Sequence, residues 1–246
     1  MDFTRIDELK NKLKTMRSLN QAEIERLRNE FMIENTYNSN AIEGNTLTLR
    51  ETALILQEGI TIAEKPVREH LEAIGHKDAF EYIVSLADAN TELTERVIKN
   101  IHSLVLINDP TNRGIYRSLP VTIMGAAHTP PQPYLIPIQM EELLKNYDET
   151  KKDKHIIEAI AEFHLRFEGI HPFIDGNGRT GRLILNLELI KAELLPVNIK
   201  FADRRQYYDC FDHYYSNGHT PETFVQLITN YEVEELERHI KILEVN

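Results

Sequence analysis

His171-Pro-Phe-Ile-Asp175-Gly-Asn-Gly178-Arg-Thr-Gly-Arg182 is the stretch from which the rest of the chain takes its meaning. Its glycine-rich backbone runs into the apolar series Leu183, Leu187, Ile190 and Leu194, so a loop becomes the first turn of a helix. Glycines here permit positive φ and bring successive N–H groups close together, while the unpaired N–H groups and dipole of the helix start add positive potential. An anion fits such a seat. Arg179 and Arg182 lie three apart and offer guanidinium forks suited to phosphate oxygens. Asp175 supplies a hard oxygen ligand, and Mg²⁺ needs only one or two carboxylates beside phosphates and water. His171 precedes Pro172, which disfavours helix at the histidine and holds it in a turn, where a neutral imidazole can serve as general base.

Every specified position of this stretch resembles the motif of the Fic family, His-Pro-Phe-x-(Asp/Glu)-Gly-Asn-(Gly/Lys)-Arg-x-x-Arg. The resemblance implies an all-α helical bundle of Fic type with a small β-hairpin flap beside the active site. It also implies transfer of AMP from ATP to a Ser, Thr or Tyr hydroxyl of a target protein or of the chain itself, with release of pyrophosphate. His171 would be the base and Asp175 the ligand of Mg²⁺ or Mn²⁺; Asp175 would also contact ATP, with Gly176, Asn177, Gly178, Arg179, Thr180, Gly181 and Arg182. Glycine at 178 resembles the nucleotide-transferring branch, since lysine there resembles a kinase-like one.

Three further segments carry the resemblance. Ser39-x-x-x-Glu43-Gly44 is similar to the family's inhibitory motif, whose glutamate pairs with the second motif arginine, here Arg182, and fills the place of the γ-phosphate. Gly114-Ile-Tyr116-Arg117 is similar to a Gly-x-Tyr-Arg segment that precedes the flap. Met124, Gly125, Ala126, Ala127 and His128 would then form the flap tip, which registers a target segment by main-chain pairing. Tyr207-Tyr208 resembles a pair that contacts adenine and ribose, although Tyr215 stands where some relatives carry an asparagine. Three other readings use the same residues: AMP removal with Glu43 aligning water, uridylyl transfer, and a non-catalytic nucleotide-sensing adaptor.

With 246 residues, 41% of them hydrophobic and 27% charged, the chain can bury a substantial core and reads as one compact globular unit. Its net charge of −11 argues against nucleic-acid binding, which needs a basic face. Cys210 is the single cysteine, so no internal disulfide forms, and it reads as a small buried hydrophobe. Without a signal-peptide core or a long apolar span, a cytoplasmic protein free of membrane is expected. Self-association is open to it.

Periodicity marks the helices at the two ends, and the resemblance implies the rest of the division: N-terminal helices that include the inhibitory motif Ser39–Asn45 (1–48), a Fic-type core (49–231, flap 118–136, catalytic loop 171–182) and a C-terminal helix (232–246). Asn20 with Glu23 and Thr48 with Glu51 read as capping boxes, and Gly59 as a helix stop. The amide-rich piece 33–45 is a poor intrinsic helix that needs tertiary support. Pro66 opens a long helix bearing His70 and His76, which read as structural. Val121–Gly125 reads as a strand, Asp148–Lys154 as a solvated loop, and Asp203 as a helix cap. His164 lies seven before His171, but Gly169 and Pro172 break the helix between them, so a packed His164 is expected instead of a metal pair.

Overall fold

A computed structural model describes residues 2–123, 125–126 and 128–245. Among them lie ten α-helices: α1 Thr4–Thr15, α2 Gln21–Ile42, α3 Leu49–Glu58, α4 Val67–Asp88, α5 Glu95–Val105, α6 Ile136–Asp153, α7 Ile156–Ile170, α8 Asn177–Lys191, α9 Arg204–Ser216 and α10 Glu222–Val245. Both predicted capping boxes form, and Gly59 ends α3 in the left-handed region. No described helix is long and apolar enough to cross a membrane.

Helix α8 is the axis of the bundle. Leu183, Ile184, Leu185, Leu187 and Leu189 are all buried, because α4, α5 and α7 enclose it on several sides. A helix surrounded in this way must also satisfy its polar side chains internally. Asn186 does so by accepting from the Val197 N–H at 2.8 Å and donating to the Val197 carbonyl at 3.0 Å. The Glu188 carboxylate receives Tyr147 and Lys191, each at 2.7 Å.

Helix α2 is continuous for 22 residues, and its amide-rich end is held by the tertiary support its composition requires. Thr36 meets His76 at 3.0 Å, and the Asn38 side chain accepts from the Phe201 N–H at 2.9 Å. The helix closes at Glu43, which is thereby aimed at the start of α8. His70 caps locally as expected, accepting from the Ile62 N–H at 2.9 Å.

Three local expectations fail. No strand forms among the described residues, and the expected hairpin flap is absent. Residues 121–123 are irregular, and Pro120, Pro130, Pro131 and Pro133 deprive the two legs of the N–H groups a ladder would need. The charged segment 148–154 is helical to Asp153, since Tyr147 anchors it in the core and Lys151 pairs with Asp148 at 2.7 Å. Its residues are good helix formers, and charge alone does not stop a helix. Asp203 makes no side-chain cap; its carboxylate accepts from the Tyr231 hydroxyl at 2.6 Å instead.

Helix α10 closes the bundle against α1, α7 and α9. Its Glu232 is fully buried, accepts from the Leu195 N–H at 3.0 Å, and is pushed up to about 8 by burial, with that hydrogen bond opposing. A carboxyl raised in the folded state contributes stability that is complete below its ordinary 4.5 and is lost as pH rises through about 8. Glu232→Gln keeps the acceptor and removes the charge. Its melting temperature is expected to exceed the parent's by about 3 °C above pH 8, with the gap closing toward pH 5. Melting curves at pH 5, 7 and 9 test this, and a gap independent of pH refutes it.

Candidate active site

The site begins where α7 ends. His171 terminates that helix with φ 50° and ψ 59°, a left-handed conformation uncommon for a residue with a side chain. Its N–H donates to the Phe167 carbonyl at 3.0 Å, and its own carbonyl accepts from Arg117 Nε at 2.8 Å. The turn is therefore gripped from both sides. Burial pushes the imidazole down to about 4; the Glu168 carbonyl and the Glu43 carboxylate pull it up, while Arg117 and His128 press it further down. It is neutral at pH 7.

The loop that follows is braced from within. Asn177 is buried, with Oδ1 accepting from the Phe173 N–H and Nδ2 donating to the Phe173 carbonyl, both at 2.9 Å. Gly176, at φ 76°, takes the left-handed step into α8. Asp175 Oδ1 accepts from the Gly176 N–H at 2.6 Å and lies 3.2 Å from Arg179 Nη2, while the side chain remains half exposed. The Asp175 carbonyl accepts from His102 Nε2 at 2.9 Å, and His102 Nδ1 accepts from the Gly114 N–H at 2.8 Å. His102 also stacks on Phe173 at 3.6 Å, and burial pushes it down to about 4, so it holds the loop as a neutral ring.

The two motif arginines diverge. Arg179 is buried and turns toward α4, with Nη1 3.7 Å from Glu72, a carboxylate that also receives Arg68 and Asn45. Arg182 turns toward α2: Nε donates to Ser39 Oγ at 3.0 Å, and Nη2 to the Ser39 carbonyl at 2.9 Å and to Glu43 Oε1 at 2.8 Å. Its Nη1 reaches the Tyr207 hydroxyl at 3.4 Å. Gly178 makes this seating possible, since a Cβ there would collide with Glu43 Oε1 and stand 2.9 Å from Arg182 Nη1.

A cavity of about 360 Å³ opens over these groups. Glu43, Gly178 and Arg182 line it together with His171, Glu168 and Tyr208. Ile123, Gly125, Ala126 and His128 border it from the flap segment, and Phe211 and Asp212 from α9. Met124 and Ala127, the other expected tip residues, lie outside the described residues. Thr180 and Gly181 face inward, the latter against Glu168 and His164, and with Asp175, Gly176, Asn177 and Arg179 they stand apart from the cavity wall. Gly44 is exposed beside Glu43 with φ 93°.

The tyrosines divide the work. Tyr207 is buried, its hydroxyl between His164 Nε2 at 2.9 Å and Arg182, so it supports the arginine from below. Tyr208 is 43% exposed and donates to the Ile42 carbonyl at 3.3 Å, tying α9 to the end of α2. Tyr215 stacks on His128 at 3.8 Å and donates to the Leu165 carbonyl at 3.2 Å. Glu168, which no motif singled out, is buried in the cavity floor, where burial and Glu43 raise it to about 8 against the pull of Arg182. His102, Glu72 and Glu168 carried no local signal, because their importance lies in partners distant along the chain.

Taken together, a buried helix start with a braced glycine loop, a neutral histidine at its head and an arginine in the cavity floor are gathered around one cavity of an all-helical fold. The Fic/DOC family model matches residues 92–189, and the chain belongs to that family. It is 37% identical over 210 residues to protein adenylyltransferase Fic of Nematostella vectensis, covering 83% of this chain and 48% of that one. With the same-named protein of Aedes aegypti it shares 35% identity over 214 residues, covering 84% and 42%. The chain thus spans about half the length of the curated relatives it matches. Among solved structures, a Fic-domain signaling protein from Bacteroides thetaiotaomicron superposes with a TM-score of 0.89 at 28% identity, covering 98% of this chain and 97% of that one. A fragment of Fic-1 from C. elegans gives 0.84 at 30% identity, covering 97% and 71%.

Proposed function

We propose that this chain is a protein adenylyltransferase that moves AMP from ATP to a hydroxyl of a target protein and is held at rest by Glu43. The observation that carries this reading is one cavity holding a neutral His171, the bare face of Gly178, and Arg182 occupied by Glu43. Its relatives' shared name, protein adenylyltransferase Fic, supports the same chemistry.

In this reaction the ring nitrogen of His171 that faces the cavity takes the proton of the target hydroxyl. The oxygen then bonds to the α-phosphorus of ATP as the bond to the β-phosphate oxygen breaks, and pyrophosphate leaves with the electron pair. The N–H groups at the start of α8 and the Arg182 guanidinium stabilise the charge that develops on the phosphates. Tyr208, Phe211 and the flap segment offer apolar walls for the base. Glu43 must leave Arg182 before a γ-phosphate can take its place.

The donor set suits Mg²⁺ or Mn²⁺. The carboxylate of Asp175 is half exposed at the start of α8, and Mg²⁺ needs only one or two carboxylates beside phosphates and water. Asp175 would hold the ion, which when bound would neutralise phosphate charge.

The labelled position of ATP tests the reading. Protein incubated with the Glu43→Gly chain and Mg²⁺ is expected to gain label from the α-phosphate and none from the γ-phosphate. Label from the γ-phosphate would indicate a kinase, and no label from either would remove the proposal. The shared location of Glu43 and His171 also suits the reverse hydrolysis, in which Glu43 aligns a water. Release of AMP from a modified target by the unmutated chain would identify that activity.

A further inference from the structure

We infer that Arg117 is a positioning residue that ties both legs of the flap segment to the catalytic turn, so that the flap and His171 are set in place as one unit. Its kinetic consequence rests on the adenylyl-transfer reading; its structural consequence does not.

Arg117 is 5% exposed, and among the described residues no carboxylate pairs with it. Its guanidinium is spent on main-chain carbonyls. Nε donates to His171 at 2.8 Å, Nη1 to Leu119 at 2.9 Å, and Nη2 to Pro131 at 2.7 Å and Ile170 at 3.4 Å. Its backbone N–H donates to the Pro172 carbonyl at 2.9 Å. Leu119 and Pro131 lie on opposite legs of the segment that the prolines prevent from pairing as strands. The arginine therefore supplies the cross-link that a β-ladder would otherwise supply. Only a planar fork can reach several carbonyls in different directions at once; an ammonium is a point donor.

The same cation stands beside the general base. Ile170 and His171 carry the carbonyls it holds, and the second of them sits in the left-handed turn. Burial is the main cause that favours the neutral imidazole, and the charge of Arg117 acts in the same direction. The other charged or titratable groups lining the cavity with His171 are Glu43 at the end of α2, His128 of the flap segment, Glu168 of α7, Arg182 of α8, and Tyr207, Tyr208 and Asp212 of α9. Of these, His128 rides on the segment that Arg117 ties, and the Arg117→Lys form, which keeps the charge and loses the fork, separates its displacement from the loss of the cation.

Two variants of the full chain separate the two contributions. The His171 ring is titrated by NMR in the parent, Arg117→Gln and Arg117→Lys, and AMP transfer is measured for each in the Glu43→Gly background. Arg117→Gln is expected to raise the His171 midpoint by about half a unit and to lower kcat by about tenfold, with KM for ATP within about twofold. Arg117→Lys keeps the charge and loses the fork, so the midpoint stays near the parent's while kcat falls. An unchanged midpoint in Arg117→Gln, or full kcat in Arg117→Lys, overturns the inference. Should no form transfer AMP, the adenylyl-transfer reading falls, and the titration still decides the role of Arg117. If Arg117→Gln fails to fold, Arg117→Lys alone remains decisive through its rate and midpoint.

Discussion

Replacing Glu43 by glycine is expected to raise AMP incorporation by about two orders of magnitude. The carboxylate occupies the Arg182 nitrogen that also binds the Ser39 carbonyl and covers the open face of Gly178. A triphosphate entering against it loses a charge-assisted contact, and its α-phosphorus shifts off the line of attack. Misplacement by about 1 Å can cost about a hundredfold. The substitution leaves Arg182 bonded to Ser39 and Tyr207, so the buried cation keeps partners and the fold survives. Glu43 also stands at the end of α2 with φ −88° and ψ 6°, a position glycine tolerates. Glu43→Gln, which retains the bulk and gives up the charge, should fall between. Initial rates with α-labelled ATP on purified chain measure the effect, and an unchanged rate would sink the inhibitory assignment.

The opposite result is expected at the other end of the cavity. His171→Ala in the Glu43→Gly background should reduce transfer by about 10²–10⁴, the usual contribution of a positioned general base. Because the residue lies at φ 50°, alanine also adds backbone strain. His171→Asn serves as the companion variant, since asparagine accepts the left-handed region more readily. Both should bind ATP with near-parent affinity and fail to transfer. An active His171→Asn would mean that another group takes the proton. The acid limb of the rate profile gives a further check. A base pushed down to about 4 is deprotonated above that value, so activity should be flat through neutral pH and fall only as pH drops through about 4. Loss of Glu43 removes a charge that raised this value and so shifts the limb no higher.

Much of the helical framework is legible in the sequence. The Asn20–Glu23 and Thr48–Glu51 boxes, the stop at Gly59 and the loop-to-helix step at Gly176 are contacts within four residues, which local chemistry specifies almost alone. In the flap segment alternating apolar residues suggest a strand, while the prolines around them remove the hydrogen bonds a strand requires. In Asp148–Asp153 the charge density suggests a loop, while good helix propensity and the anchor at Tyr147 keep the segment helical.

The same division holds within the site. By itself the sequence determined the glycine loop, the histidine turn before Pro172 and the helix start, because each depends on neighbours along the chain. The link between Glu43 and Arg182 was legible only through family resemblance, for nothing in residue spacing connects positions 139 apart. Tertiary structure alone decided that Arg179 turns to Glu72 and away from the cavity, that His102 clasps the Asp175 carbonyl, and that Arg117 binds the flap legs to His171. A long polar side chain can satisfy its donors in many directions. Which of them it takes depends on the carbonyls and carboxylates that packing brings within 3 Å or so, and no local pattern records that choice.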